Sequence, residues 1–129
     1  MTRPPDAHPV LVVDDDEAVR SGMLGLLRAA GYDAEGYASG AAVLAGADPA
    51  CAHCALLDIH LDDTDGFTLG ETLHGTAPHL PLIFITADTD PALDGRARLV
   101  GAITLLRKPV DPDCLMALID AIPLPGPPP

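Results

Sequence analysis

The chain has 129 residues, 48% of them hydrophobic, enough for one domain with a buried core and too apolar for a chain disordered throughout. Seven basic side chains against 19 acidic ones leave a formal charge of −12, which excludes a nucleic-acid groove or an anionic membrane surface as the main partner. Aromatic residues make up 3% and Trp is absent, so no stacking platform for single strands or sugars is available either.

No apolar run approaches the ~20 residues that span a bilayer. Residues 1–9 lack the apolar stretch of a signal peptide. The expectation is a cytoplasmic chain. Three cysteines do not suit a disulfide framework, so thiols are expected.

Pro-rich ends frame the pattern: residues 1–8 and 123–129 read as tails and 9–122 as the domain. Val10-Leu11-Val12-Val13 is a β-branched apolar run of the kind buried on both faces of a parallel sheet. Val19, Met23, Leu26, Leu27 and Ala30 then follow helical spacing, with Asp15 or Asp16 as the cap and Gly31 beyond the end. Asp33 to Tyr37 is a weak strand. Ser39 caps a short Ala-rich helix that turns Val43 and Leu44 inward. A second buried strand, Ala55 to Ile59, leads into the polar loop Leu61 to Gly66. Phe67 to Leu73 is helical, and Leu82 to Thr86 is a third buried strand. Pro91 to Val100 is a weakly patterned helix opened by Asp90. Ile103 to Leu106 and Asp111 to Ile122 close the chain as strand and helix.

Five β segments alternating with five α segments predict an α/β fold. It is a doubly wound five-stranded parallel sheet of order 2-1-3-4-5 with helices on both faces. In such sheets a ligand binds at the carboxyl ends of the strands, where the strand order reverses. Asp14, Asp15 and Asp16 end the first strand, Asp58 ends the third, Thr86 ends the fourth, and Lys108-Pro109 follows the fifth. A parallel sheet converges them on one rim. Like charges ~4 Å apart repel by about 4 kcal/mol at an effective dielectric near 20, so the cluster calls for a divalent ion or a protonated acid. Hard oxygen ligands suit Mg²⁺. A carboxylate, a hydroxyl and an ammonium on one rim suit phosphoryl transfer through an aspartyl-phosphate.

These residues carry a resemblance. Val10 to Glu17, Leu56 to Leu61 with Asp65-Gly66-Phe67, Ile85-Thr86-Ala87 and Arg107-Lys108-Pro109-Val110, in that order, resemble the receiver domains of bacterial two-component response regulators, over residues 9–122. The resemblance implies a flavodoxin-like receiver fold and a signalling domain rather than an enzyme, one that autocatalyses its own phosphorylation and dephosphorylation. It makes Asp58 the phosphoacceptor. It makes Asp15 a direct ligand of Mg²⁺ (or Mn²⁺), with Asp58, Asp14 largely through water, and the backbone carbonyl of His60. Thr86 would bond the phosphoryl oxygen, Ala87 would leave it room, and Lys108 would pair with it, its bond to Pro109 being cis. The implied partners are a sensor histidine kinase or phosphotransfer protein and a downstream protein target. A homodimer is allowed, and neither nucleic acid nor membrane is bound directly. No output domain is expected within the chain.

Two positions depart from the family pattern. Asp62 stands where a Pro is frequent, and Leu105 where an aromatic residue commonly swings inward with the Thr. The acidic loop 62–66 fails as an EF-hand, since Leu61 and Thr72 fall at its first and last ligand positions, and reads as a solvated turn. Cys51-Ala52-His53-Cys54 lacks a second ligand pair and reads as small, semi-buried residues. Two other functions compete. A phosphohydrolase of the haloacid-dehalogenase type would use Asp14 as nucleophile with Asp16 two residues on, and a pseudo-receiver would only bind protein.

Overall fold

A computed structural model describes residues 8–125. The elements run β1 (Val10–Val13), α1 (Glu17–Ala29), β2 (Ala34–Tyr37), α2 (Gly40–Gly46), β3 (Cys54–Asp58), α3 (Gly66–Thr76), β4 (Leu82–Thr86), α4 (Ala92–Val100), β5 (Thr104–Arg107) and α5 (Pro112–Asp120). All strand pairs are parallel, in the order β2-β1-β3-β4-β5. This is the predicted sheet. The outer parts of both predicted tails, residues 1–7 and 126–129, lie outside the described residues.

Strand periodicity divides the core in two. Successive side chains of a strand point to opposite faces. Leu11 and Val13 of β1, with Leu57 and Phe84, pack on Val43, Phe67, Leu73, Leu93 and Ala97 from α2, α3 and α4. Val10 and Val12, with Leu56, Ile83 and Ile85, pack on Leu27, Leu115 and Ile119 from α1 and α5. The continuous apolar runs of β1, β3 and β4 are thus buried on both faces. Of the described residues, Asp14, His53, Asp58 and Thr86 are the buried polar ones, and three of them sit at the carboxyl rim.

The helix starts follow local capping chemistry. Asp16 accepts from the N–H groups of Ala18 and Val19, Ser39 from Ala42, Asp65 from Thr68, and Asp111 from Asp113 and Cys114. Gly31 follows α1 in the left-handed region (φ 93°), and Gly101 ends α4 there (φ 92°).

Five expectations need correction. β3 runs Cys54–Asp58, one residue earlier than the predicted Ala55 to Ile59. Leu44 is 50% exposed, because the buried line of the short α2 runs through Gly40 and Val43 and the helix ends at Gly46. α3 continues past Leu73 to Thr76, since backbone bonding outlasts the apolar stripe. α4 has Pro91 at its N-cap; Asp90 lies one residue earlier, although its carboxylate still accepts from Ala92 N–H at 2.9 Å. β5 is displaced by one residue: Ile103 is 49% exposed, and Arg107 is the register partner of Thr86. Among the described residues no helix is long and apolar enough to cross a membrane.

Candidate functional site

The strand register brings the rim residues together. Val13 pairs with Leu57, Asp58 with Ile85 and Thr86 with Arg107, so Asp14, Asp58, Thr86 and Lys108 fall on one level. Asp14, Asp15 and Asp58 each place a carboxylate oxygen within 4.8 Å of the others. Asp14 and Asp58 are buried and Asp15 is half-buried. Lys108 Nζ donates to Asp14 Oδ2 at 2.9 Å and to Asp58 Oδ2 at 3.1 Å. The remaining oxygen of each acid accepts from a backbone amide: Asp14 Oδ1 from Asp16 N at 2.9 Å, Asp58 Oδ1 from His60 N at 3.1 Å. Arg20 Nη1 holds the carbonyl of Asp14 at 2.7 Å. The Lys108–Pro109 bond is cis.

The repulsion expected within this cluster therefore has an internal counter-charge. Lys108 bridges two of the three acids, which leaves Asp15 as the more open one. Burial raises the Asp58 carboxyl above its ordinary range, and the charge of Asp14 adds to this. The hydrogen bonds from Lys108 and His60 oppose it without cancelling it. For Lys108, burial favours the neutral amine, but its bonds to Asp14 and Asp58 outweigh burial and hold the ammonium above its usual range. Three convergent hard oxygen donors, one of them open, could hold a divalent cation.

Thr86 is fully buried, and its Oγ1 accepts from Asp88 N at 3.0 Å. Its carbonyl accepts from Lys108 N at 2.8 Å, which ties the two residues through the backbone. Ala87 is exposed at the mouth and presents only a methyl group. His60 is exposed; its ring Nε2 lies 3.1 Å from Asp88 Oδ2, joining the loop after β3 to the loop after β4.

The acidic loop after β3 is not simply a solvated turn. Asp63 accepts from Gly40 N at 3.0 Å and from Ala41 N at 2.9 Å, gripping the start of α2. These two amides hold its carboxyl below the usual range. Asp65 caps α3 through Thr68 N at 2.9 Å, and the Thr68 hydroxyl adds a second bond at 3.1 Å. Burial works against the charge of Asp65, but these bonds overcome it and its pKa is lowered. Gly66 is required by close approach: an added Cβ would lie 2.4 Å from the carbonyl oxygen of Asp58. Its N–H donates to Ile59 O at 2.7 Å. The Asp65 cap was missed by the sequence reading, although an Asp three residues before Thr68 at the start of a helix is a local signal that could have found it. Nothing local signalled the grip of Asp63, whose partners lie 23 and 22 residues away.

The Cys51-x-x-Cys54 segment splits. Cys51 is exposed, whereas Cys54 is buried and its thiol is pushed up to about 12 by desolvation, which makes it unreactive. Between them His53 is buried and donates from Nε2 to Ile122 O at 2.7 Å, stapling the end of α5 to the start of β3. Among the described residues, Asp14, Asp15 and Asp58 form the one group of three or more His, Cys, Asp or Glu side chains placed to share an ion.

A doubly wound sheet carrying an acidic triad, a Thr and a Lys on its carboxyl rim defines a receiver-type signalling domain. The sequence agrees: the chain belongs to the response regulator receiver domain family, whose model matches residues 10–120. It is 32% identical over 117 residues to the transcriptional regulatory protein FixJ of Azorhizobium caulinodans, covering 91% of this chain and 56% of that one. It is 31% identical to the transcriptional regulatory protein TdiR of Thauera aromatica, covering 93% and 53%. The chain thus spans about half the length of the curated relatives it matches. Its fold is that of the chemotaxis protein CheY4 of Vibrio cholerae, with a TM-score of 0.82 at 27% identity, over 91% of this chain and 99% of that one. A CheY-like response regulator receiver domain protein from Methanospirillum hungatei gives a TM-score of 0.80 at 29% identity, over 88% and 91%. Receiver domains of two-component systems serve signalling, phosphorylation on an aspartate is their general function, and they interact with histidine kinases or phosphotransfer proteins.

Proposed function

We propose that this chain accepts a phosphoryl group on Asp58 from the phosphohistidine of a sensor kinase or phosphotransfer protein, and passes the resulting change to a downstream protein. The observation that carries the reading is the Lys108 ammonium bridging Asp14 and Asp58 beside the open Asp15. A carboxylate oxygen of Asp58 forms the new bond to phosphorus while the phosphorus–nitrogen bond of the donor breaks, its electron pair staying on the imidazole. Lys108 neutralises charge on the phosphoryl oxygens. The Thr86 hydroxyl, which accepts from Asp88 N, still has its own proton to donate to one of them. Ala87 leaves the entrance open.

Asp14 (through water), Asp15, Asp58 and the carbonyl of His60 would hold Mg²⁺ or Mn²⁺. The bound ion supplies charge neutralisation at the phosphoryl oxygens. Hydrolysis of the acyl phosphate resets Asp58, so the domain turns over only its own phosphate.

Acetyl phosphate with Mg²⁺ tests the reading without a cognate kinase. Intact-mass measurement is expected to show one added phosphoryl group, absent from Asp58→Asn and from EDTA-treated protein. Equal labelling of Asp58→Asn would refute it.

A further inference from the structure

Resting on the reading of Asp58 as phosphoacceptor, we infer that Arg107 is the switch element of this chain: its guanidinium clamps the segment after Thr86 in the unphosphorylated state, and loosening of that clamp transmits phosphorylation to α4. Arg107 lies opposite Thr86 in the β4–β5 ladder. Its Nε donates to Asp88 O at 2.8 Å and its Nη2 to Asp90 O at 2.8 Å. Nη1 and Nη2 also meet the two carboxylate oxygens of Asp94, at 3.2 and 3.0 Å. One planar fork thereby fixes the loop after β4 and the first turn of α4 to β5.

The same loop touches the site. Asp88 donates its N–H to Thr86 Oγ1 and receives Arg107 Nε on its carbonyl, so a single residue links the two. When the Thr86 hydroxyl turns toward a phosphoryl oxygen on Asp58, the Asp88 amide must follow it or lose its acceptor. Either way the Asp88 carbonyl leaves the position to which the fork is aligned, and hydrogen bonds weaken steeply with misalignment. α4 offers little resistance. It buries only Leu93 and Ala97, it has no side-chain cap at Pro91, and Leu99 is 89% exposed. Leu105, the neighbouring candidate for a moving side chain, is buried in the apolar core with no polar tip to exchange partners.

A clamp that favours the unphosphorylated arrangement must, by linkage, oppose phosphorylation by the same factor. The test uses the full chain with Mg²⁺ and beryllofluoride, a phosphoryl mimic, and reads both its affinity and backbone amide exchange over residues 87–94. Arg107→Gln is expected to bind beryllofluoride about fivefold or more tighter than wild type. Without the mimic, it is expected to exchange residues 87–94 as fast as mimic-bound wild type. Arg107→Lys keeps the charge but loses the fork and is expected to follow Arg107→Gln. Asp94→Asn is expected to move both readouts the same way by less, and it carries the test if the Arg107 variants fail to fold. Unchanged or weaker binding in these variants, or unchanged protection of 87–94, overturns the clamp while leaving Asp58 as acceptor. Wild type that does not bind the mimic overturns both.

Discussion

The two flanks of Asp58 are built on different physics. On the side of β1 and β3, the charges of Asp14 and Asp58 are buried and have fixed partners: Lys108 bridges the two acids, backbone amides take their other oxygens, and Gly66 lets α3 start against the Asp58 carbonyl. On the side of β4 and β5, the polar contacts are half-exposed and pass through one arginine to a loop and a sparsely buried helix. Burial makes the first flank rigid and chemically tuned. Exposure makes the second cheap to rearrange, since half-exposed ion pairs and hydrogen bonds exchange readily for water. A domain that must hold a phosphoryl group on one side and report it on the other has use for both.

The largest expected effect breaks the first flank. Asp58→Asn removes the proposed nucleophile, and phosphoryl incorporation from acetyl phosphate, read by intact mass, is expected to fall to background. Asp15→Asn is expected to weaken Mg²⁺ binding severely, read by titration of the metal-free protein, because it removes the most open oxygen donor.

The next pair separates the flanks by stability. Leu105 belongs to the apolar core, so Leu105→Ala is expected to cost about 2–5 kcal/mol in denaturant unfolding, with little change in beryllofluoride affinity. Arg107→Gln is expected to behave in the opposite manner. A Leu105→Ala variant that alters affinity as strongly as Arg107→Gln would show that the core, not the clamp, carries the signal. Gly66→Ala forces a Cβ against the Asp58 carbonyl, and is expected to cost about 1–3 kcal/mol and to slow phosphorylation.

The smallest effect is a pH signature. The Asp58 carboxyl is raised above its ordinary 3.8, by burial first and the Asp14 charge after it. A raised folded pKa gives a stabilising contribution that is full below the unfolded value and is lost as pH rises through the folded one. Asp58→Asn cannot lose it. In metal-free buffer its melting temperature relative to wild type is expected to climb from about pH 4 to neutrality, and Mg²⁺ to reduce the gain by stabilising wild type. Asp63, Asp65, Asp88 and Asp94 have lowered pKa values and lose stability as pH falls. Comparing both proteins at each pH cancels them. A difference that shrinks toward neutrality would contradict the burial of Asp58.

Strand runs and their terminal acids were readable because a parallel sheet turns sequence position into spatial position. Four apolar runs ending near Asp14, Asp58, Thr86 and Lys108 could converge only at one rim. What the sequence hid depends on distance across the chain. The grip of Asp63 on α2 joins residues more than twenty apart, and that of Arg107 gathers acceptors on three residues of a loop and a helix. An acidic run such as Asp62 to Asp65 looks solvated until its amide partners are placed. The one-residue displacement of β5 mattered too, because it sets Arg107 opposite Thr86.

Reductive trapping distinguishes Asp58 from Asp14 as the bearer of the phosphoryl group. After incubation with acetyl phosphate and Mg²⁺, borohydride converts an acyl phosphate of aspartate to homoserine, and peptide mass spectrometry locates the change. Homoserine is expected at position 58 alone, and none in protein treated without Mg²⁺. Homoserine at position 14, or at neither position despite incorporation of phosphate, would contradict it.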